Sequence, residues 1–463
     1  MASDNATRSL LRVVTPFEVD WHVWFRAPFS LSDTATLPAG VVLKLARRPE
    51  LSEAVRNEAS VRDAADWAPF LLSASMRFHP RFAYSYNTYL SDEQIERYCE
   101  PVADGAVDEP APLRLHRALQ GCLLGTAIGD ALGLPFEGLS PRRLAKFRAL
   151  PLRQRFFLGR GMISDDTEHT ALVAQALLRS GGEPAAFARA LGWCLRWWFL
   201  GLPAGIGLAT LRACLKLLCG IPPEHSGVYS AGNGPAMRSA LLGVWCGDDV
   251  TLLDALVDVN TRITHRDPKA VRGARIVAEL ARLNALGTPL GADDAMDALA
   301  PIIAADDELL GVLSAAVTSA ARGDTAMAFC AAGGMTKGVG GYMYHTLPVV
   351  LHIVLRHADD FETAVSEAVA CGGDTDTVAA IVGGIVGAGS GVAGIPAHWR
   401  ENLRDWPRDQ RFLGLLGEEL ARQRILGGVA RDLSIDLVRA WLRNAFFMAW
   451  VLAHGLRRLL PPY

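Results

Sequence analysis

The chain is poor in the marks of a secreted, membrane-bound or nucleic-acid-binding protein. None of its eight cysteines stands in a C-x-x-C pair and most lie in apolar stretches, so they read as reduced core thiols rather than a disulfide frame or zinc site. A formal charge of -3 gives no long-range attraction to nucleic acid or anionic lipid. Behind the charges of Met1 to Thr15 there is no apolar run of signal-peptide length, and a cytoplasmic location is expected. Alternating apolar and polar residues, the pattern of half-buried strands, are nearly absent. What remains is 463 residues, half of them hydrophobic and 21% charged, enough for two or three domains with a large core.

Three regions separate along the chain. Residues 1 to 110 are rich in aromatics such as Trp21, Trp24, Trp67 and Tyr84. They hold one plausible helix, Pro49 to Ala65, and one possible strand near Val41 to Ala46. The small, acidic, proline-bearing segment Val102 to Pro112 reads as a linker. From Leu113 to about Trp406 helix follows helix. Phe361, Ala364, Val365, Ala368 and Val369 form one apolar stripe, and Met343, Leu347, Val350, Leu351, Val354 and Leu355 another. Similar patterns cover Leu172–Leu178, Leu252–Val259, Ala270–Ala285 and Leu309–Ala321. The fold class expected is all-α, preceded by a small mixed or mostly helical region. Residues 407 to 463 add two helices packed on the body. Val378 to Ile395 is apolar over a membrane-spanning length, but its residues are mostly Gly and Ala and Asp376 stands at its entrance. An interior helix is the better reading.

Two acidic strings lie about two hundred residues apart: Ser164-Asp165-Asp166-Thr167 and Gly373-Asp374-Thr375-Asp376-Thr377. Each opens an apolar helical stretch. Either could be an ordinary N-cap, and Asp165 with Glu168 fits a capping box. A cap needs one side-chain oxygen, however, and each string offers two carboxylates plus hydroxyls, a crowding that a cation would offset. Oxygen-only donors favour Mg²⁺, or Mn²⁺ in its place. The string Gly121 to Gly133 carries glycine every four residues, which suits close helix packing, and Asp130 within it needs a partner. Glu137 follows the helix end at Gly133-Leu134-Pro135, either in a cleft or on a surface loop. Gly232, Asn233 and Gly234 form a turn whose N–H groups could meet phosphate, and Thr264-His265 follows a helix.

In this order the pieces GCLLGTAIGDALGLPFEG, SDDTEHTALVAQALL, AGNGPAMRSALLG, THRDPKAVRGA and GGYMYHTLPVVL, running into CGGDTDTVAAIVGGIVGAGSG, resemble the ADP-ribosylglycohydrolase family, which includes the dinitrogenase-reductase-activating glycohydrolases. The resemblance covers about Leu113 to Trp399. It implies an all-α fold with two Mg²⁺ ions, and hydrolysis of the bond joining ADP-ribose to an acceptor, most simply an arginine of a modified protein. Alternative acceptors are serine, nucleic acid and a small ADP-ribose ester. By position, Ser164, Asp165 and Asp166 would hold one side of the metal pair, and Asp374, Asp376 and Thr377 the other. Glu137, Asp166 and Asp376 would be the catalytic acids. Gly232, Asn233, Gly234 and His265 would line the ADP-ribose cleft. Ser164 stands where the family often has Thr, keeping the hydroxyl, and Pro235 replaces a small residue, removing one N–H. Some family members resemble immunity proteins against ADP-ribosyltransferase toxins, so residues 1 to 110 could bind such a partner.

Overall fold

The computed structural model describes residues 111–147, 151–287, 290–304 and 306–457, and four short strands before them. The chain divides into two units, Met1–Arg114 and Leu115–Tyr463. In the first, β1 (Leu10–Val13) runs antiparallel to β2 (His22–Trp24) and β4 (Cys99–Pro101) and parallel to β3 (Lys44–Leu45). β3 falls inside the stretch read as a possible strand, so the described part of this region is sheet. The helix expected over Pro49–Ala65 lies outside the described residues, as do most of the aromatic positions. The linker reading ends two residues late, because a helix begins at Ala111.

The second unit is all-α in its described residues. Its longer helices are α1 (Ala111–Gly133), α2 (Asp165–Ser180), α3 (Pro184–Leu200), α4 (Leu208–Leu218), α5 (Ala240–Cys246), α6 (Val250–Arg262), α7 (Pro268–Leu286) and α8 (Ala292–Ile303). There follow α9 (Asp307–Ala321), α10 (Ala326–Ala332), α11 (Met343–His357), α12 (Phe361–Ala370), α13 (Thr375–Gly394), α14 (Gln410–Leu426) and α15 (Leu437–Arg457). Their ends follow local chemistry. α7 starts with Pro268 in its first turn behind the Asp267 cap and stops at Gly287, whose φ of 74° suits a residue without Cβ. The stripes read from sequence face the core: all five apolar positions of α12 are buried, as are those of α11 except the half-buried Leu355, with Pro348 inside the helix.

The centre of the unit is the pair α1 and α13. A Cβ on Gly121, Gly125 or Gly129 would lie 2.0, 2.1 or 2.0 Å from the carbonyl oxygens of Gly387, Gly383 and Ala379. One on Gly133 would lie 2.3 Å from Thr375 O. Glycine every four residues therefore puts the two backbones in contact over four turns. This is the close packing expected of the string, and it delivers Asp130 and the start of α13 to one place. α13 is apolar enough to cross a membrane, yet 72% of its most apolar window is buried, as an interior helix requires. α14 buries Leu413, Leu416 and Leu420, and α15 buries Ala440, Arg443, Asn444 and Phe447.

Candidate active site

Both acidic strings stand at helix starts, but capping does not absorb their carboxylates. Ser164 is the N-cap of α2, its Oγ accepting from Asp166 N at 3.4 Å. Asp130, fully buried on α1, takes the other free donors: Ser164 N at 2.9 Å, Thr167 N at 3.1 Å and Thr167 Oγ1 at 2.5 Å. That is the partner its place in an apolar helix demanded. The capping box of Asp165 and Glu168 does not form. Glu168 turns the other way and accepts from Arg408 Nη1 at 2.7 Å and Trp198 Nε1 at 2.6 Å. Asp165 and Asp166 are thus left to the site.

The second string is held by backbone pairing. Gly373 sits between Leu139 and Val339 in two isolated bridges, with Gly138 N donating to Gly373 O at 2.7 Å and Asp374 N to Val339 O at 2.7 Å. Gly373 has φ of 81° and a Cβ there would meet Val339 O at 2.1 Å, so the double glycine is a steric requirement. Asp374 makes no side-chain cap to α13; its Oδ2 accepts from Asn233 Nδ2 at 2.8 Å. The two strings meet directly where Thr377 Oγ1 donates to Asp166 Oδ2 at 3.3 Å. Asp166 Oδ1 is buried without a protein partner.

The Gly232–Gly234 turn differs from the expected phosphate cradle. Gly232 N donates to Ser230 Oγ at 3.3 Å and Asn233 N to Gly341 O at 2.9 Å, so both N–H groups are engaged within the protein. The turn's contribution is the Asn233 side chain, which fixes Asp374. His265 lies beneath it: a Cβ on Gly232 or Gly234 would come within 3.1 Å of the imidazole. Burial, then Arg238, pushes His265 down to about 3, so the ring is neutral. Arg238 is fully buried, and the sequence pattern alone gives it no role. It donates to Asn260 Oδ1, Asn260 O and Thr264 Oγ1, each at 2.8 Å, and lies 2.9 Å from His169 Nδ1. It ties the turn to α2 and α6.

Carboxylates are concentrated here. Burial first, then Asp130 and Asp165, raises Asp166 well above the usual range. Burial, then Glu137 and Asp166, does the same to Asp376, and Asp165 rises through burial, Asp130 and Glu168. Glu137 itself is exposed yet near enough to act on Asp376 and Asp165. Among the described residues no three His, Cys, Asp or Glu side chains converge as one closed ligand group. The donor set is instead split between two walls, each with carboxylates and a hydroxyl, and oxygen-only donors of this kind suit hard cations. With the unpartnered Asp166 oxygen and the mutual repulsion, these residues fit a divalent metal site.

Residues 111–431 match the family model described as ADP-ribosylglycohydrolase. The chain belongs to the ADP-ribosylglycohydrolase family. It is 30% identical over 299 residues to an uncharacterized protein of Archaeoglobus fulgidus, covering 63% of this chain and 93% of that one. To ADP-ribosylarginine hydrolase Tri1 of Pseudomonas putida it is 27% identical, over 62% of this chain and 74% of the relative. To the ADP-ribosyl-[dinitrogen reductase] glycohydrolase of Rhodospirillum rubrum the figures are 24%, 62% and 91%. As an ADP-ribosylglycohydrolase the chain is a hydrolase of ADP-ribose glycosidic bonds.

Several parts of this glycohydrolase are not legible in the sequence. Besides the anchoring by Arg238 they are the pairing of Val339 with Gly373 and the buried ion cluster of Glu168, Asp405, Arg408 and Arg443. Arg443 donates to Asp405 Oδ2 at 2.7 Å, to Asp405 Oδ1 at 3.1 Å and to Ile163 O at 2.5 Å, bracing the residue before Ser164. Single arginines within apolar runs, as at Arg238 and Arg443, are the one signal that points to them.

Proposed function

We propose that the protein is a Mg²⁺-dependent hydrolase that releases ADP-ribose from modified arginine side chains of proteins. Ser164, Asp165 and Asp166 would hold one side of a pair of divalent ions, and Asp374, Asp376 and Thr377 the other. The observation that carries this reading is the meeting of the two strings at Thr377 and Asp166, with one Asp166 oxygen buried and unpartnered. Bound there, such ions would supply a grip on the ribose hydroxyls and a lowered pKa for water. The positions of the side chains support the following parts for the protein itself. Asn233 and Asp130 lock Asp374 and the start of α2. Glu137, exposed at the rim, can exchange a proton with solvent and pass it to or from the reacting oxygen, and Asp166 and Asp376 stabilise the positive charge that develops on the ribose ring. Arginine as acceptor is favoured by the similarity to the Pseudomonas putida ADP-ribosylarginine hydrolase.

The test is release of free ADP-ribose from ADP-ribosyl-arginine, ADP-ribosyl-serine and ADP-ribosylated nucleic acid, with Mg²⁺ and with chelator. Release from the arginine substrate alone, abolished by chelator and lowered about a hundredfold or more by Asp166→Asn or Asp376→Asn, is the expected result. Turnover that ignores the chelator, or an unchanged rate in both variants, would remove the metal assignment; release from serine alone would remove the acceptor.

A further inference from the structure

The outer face of α15 is apolar along its whole length, and the family match stops before it, at residue 431. Its inner face is spent on the body through Ala440, Arg443, Asn444 and Phe447. The outer face carries Val438, Leu442, Ala445, Ala449, Leu452 and Leu456, spaced 4-3-4-3-4, the seam of a two-helix coiled contact. Val438, Leu442, Leu452 and Leu456 are exposed by 60%, 62%, 60% and 67%, and the two alanines are exposed as well. Trp441, Phe446 and Met448 widen the strip. Together the large side chains expose on the order of 700 Å² of apolar surface, beyond what a monomer usually leaves to water and close to one half of a standard interface.

The seam reads the same in both directions: large, large, small, small, large, large. We infer that α15 pairs antiparallel with α15 of a second copy of this chain about a two-fold axis beside Phe447. That axis sets Leu442 against Leu452, Val438 against Leu456 and Ala445 against Ala449, each contact occurring twice, as an isologous interface requires. Alanines at the centre let the helices approach closely, and leucines fill the ends. Charge chooses the direction. Arg439 is the one charged exposed residue between Val438 and Leu456. A parallel pair would set Arg439 against Arg439 and align the helix dipoles; the antiparallel pair opposes the dipoles and brings the Asp436 end of one copy to the Arg457 end of the other.

Sedimentation equilibrium on the full chain at micromolar concentration tests this. Twice the 49.8 kDa chain mass is expected for the wild type. Leu442→Glu and Leu452→Lys, each alone, should give folded, cooperatively melting monomers, because both side chains are exposed in the single chain; any fall in Tm should be limited to the stabilisation that dimerisation supplies. Mixing the two variants should restore dimers, since the antiparallel axis places position 442 of one against 452 of the other. A monomeric wild type, dimers unaffected by either substitution, or no rescue on mixing would each overturn the inference. So would a monomer that instead pellets with anionic phosphatidylserine vesicles, which would assign the face to a membrane surface.

Discussion

Adding one methyl group at Gly129 should cost more than most side-chain deletions. The Cβ of an alanine there would stand 2.0 Å from Ala379 O, whereas carbon and oxygen approach comfortably at about 3.3 Å. The oxygen belongs to a helix backbone and a Cβ is fixed by its own backbone, so no rotamer relieves the overlap. α1 and α13 must part by roughly 1.3 Å, a gap that already forfeits a quarter to a half of the dispersion energy along the contact. That places Gly129→Ala near the upper end of ordinary overpacking, about 3 kcal/mol. For a unit spanning Leu115–Tyr463, an unfolding entropy of about 2.1 cal/mol/K per residue converts this into a Tm lower by roughly 4 °C. Gly311→Ala is the control of opposite sign. Gly311 lies inside α9, and a methyl group there would meet nothing within 4 Å, so alanine should stabilise by up to about 1 kcal/mol. Differential scanning fluorimetry on both variants decides. Hydrolase activity of the Gly129 variant should fall at temperatures where it is still folded, because the parting helices carry Asp130 and Asp376. A Gly129→Ala protein melting within about 1 °C of wild type, with Gly311→Ala no higher, would refute the backbone-contact account of this glycine string.

Two further outcomes concern buried charge. Arg443→Met strips Asp405 of its arginine and leaves Glu168 with Arg408 as its one cation, and should cost about 3–5 kcal/mol; adding Asp405→Leu should recover much of that in a denaturant-unfolding cycle, and a double variant as unstable as the single would contradict it. His116, buried on α1, is pushed down to about 4 by burial. Its unfolded form protonates near pH 6.5 and its folded form does not, so stability is present above that pH and is lost as pH falls toward 4. His116→Leu should therefore gain about 2 kcal/mol on wild type between about pH 7 and pH 5, and parallel stability curves would count against it.

How far the sequence can be read depends on whether an interaction is local. The stripes of α11 and α12 are periodic and appear intact in the fold. The glycines of α1 announce close packing because four of them recur on one face, although nothing in that string names α13 as the partner. Capping is legible as a competitor for the acidic strings, and Ser164 does cap α2, but the capping box of Asp165 and Glu168 does not form. The free donors of α2 are met by Ser164 and by Asp130, which lies 34 residues earlier in the chain, so Glu168 is released to Arg408 and Arg443. Composition makes the Gly232–Gly234 turn look phosphate-facing, yet Gly341 and Ser230 take two of its N–H groups. The corrections share a cause: partners elsewhere in the protein, most of them distant in the chain, compete for groups that local pattern treats as free. Competition of this kind also explains why the two acidic strings keep unspent carboxylates. Capping and bracing fall to Asp130, Asn233, Glu168 and Arg443, and the carboxylates that the helices do not need stay gathered where the two strings meet. Removing a bracing residue should therefore damage the site by moving the strings, whereas removing Asp166 or Asp376 should damage it without moving them. Comparing the melting temperatures of the Arg443→Met and Asp166→Asn proteins separates the two: the first should fall with stability, and the second should lose turnover while melting at or above the wild-type temperature, since it relieves repulsion among buried carboxylates.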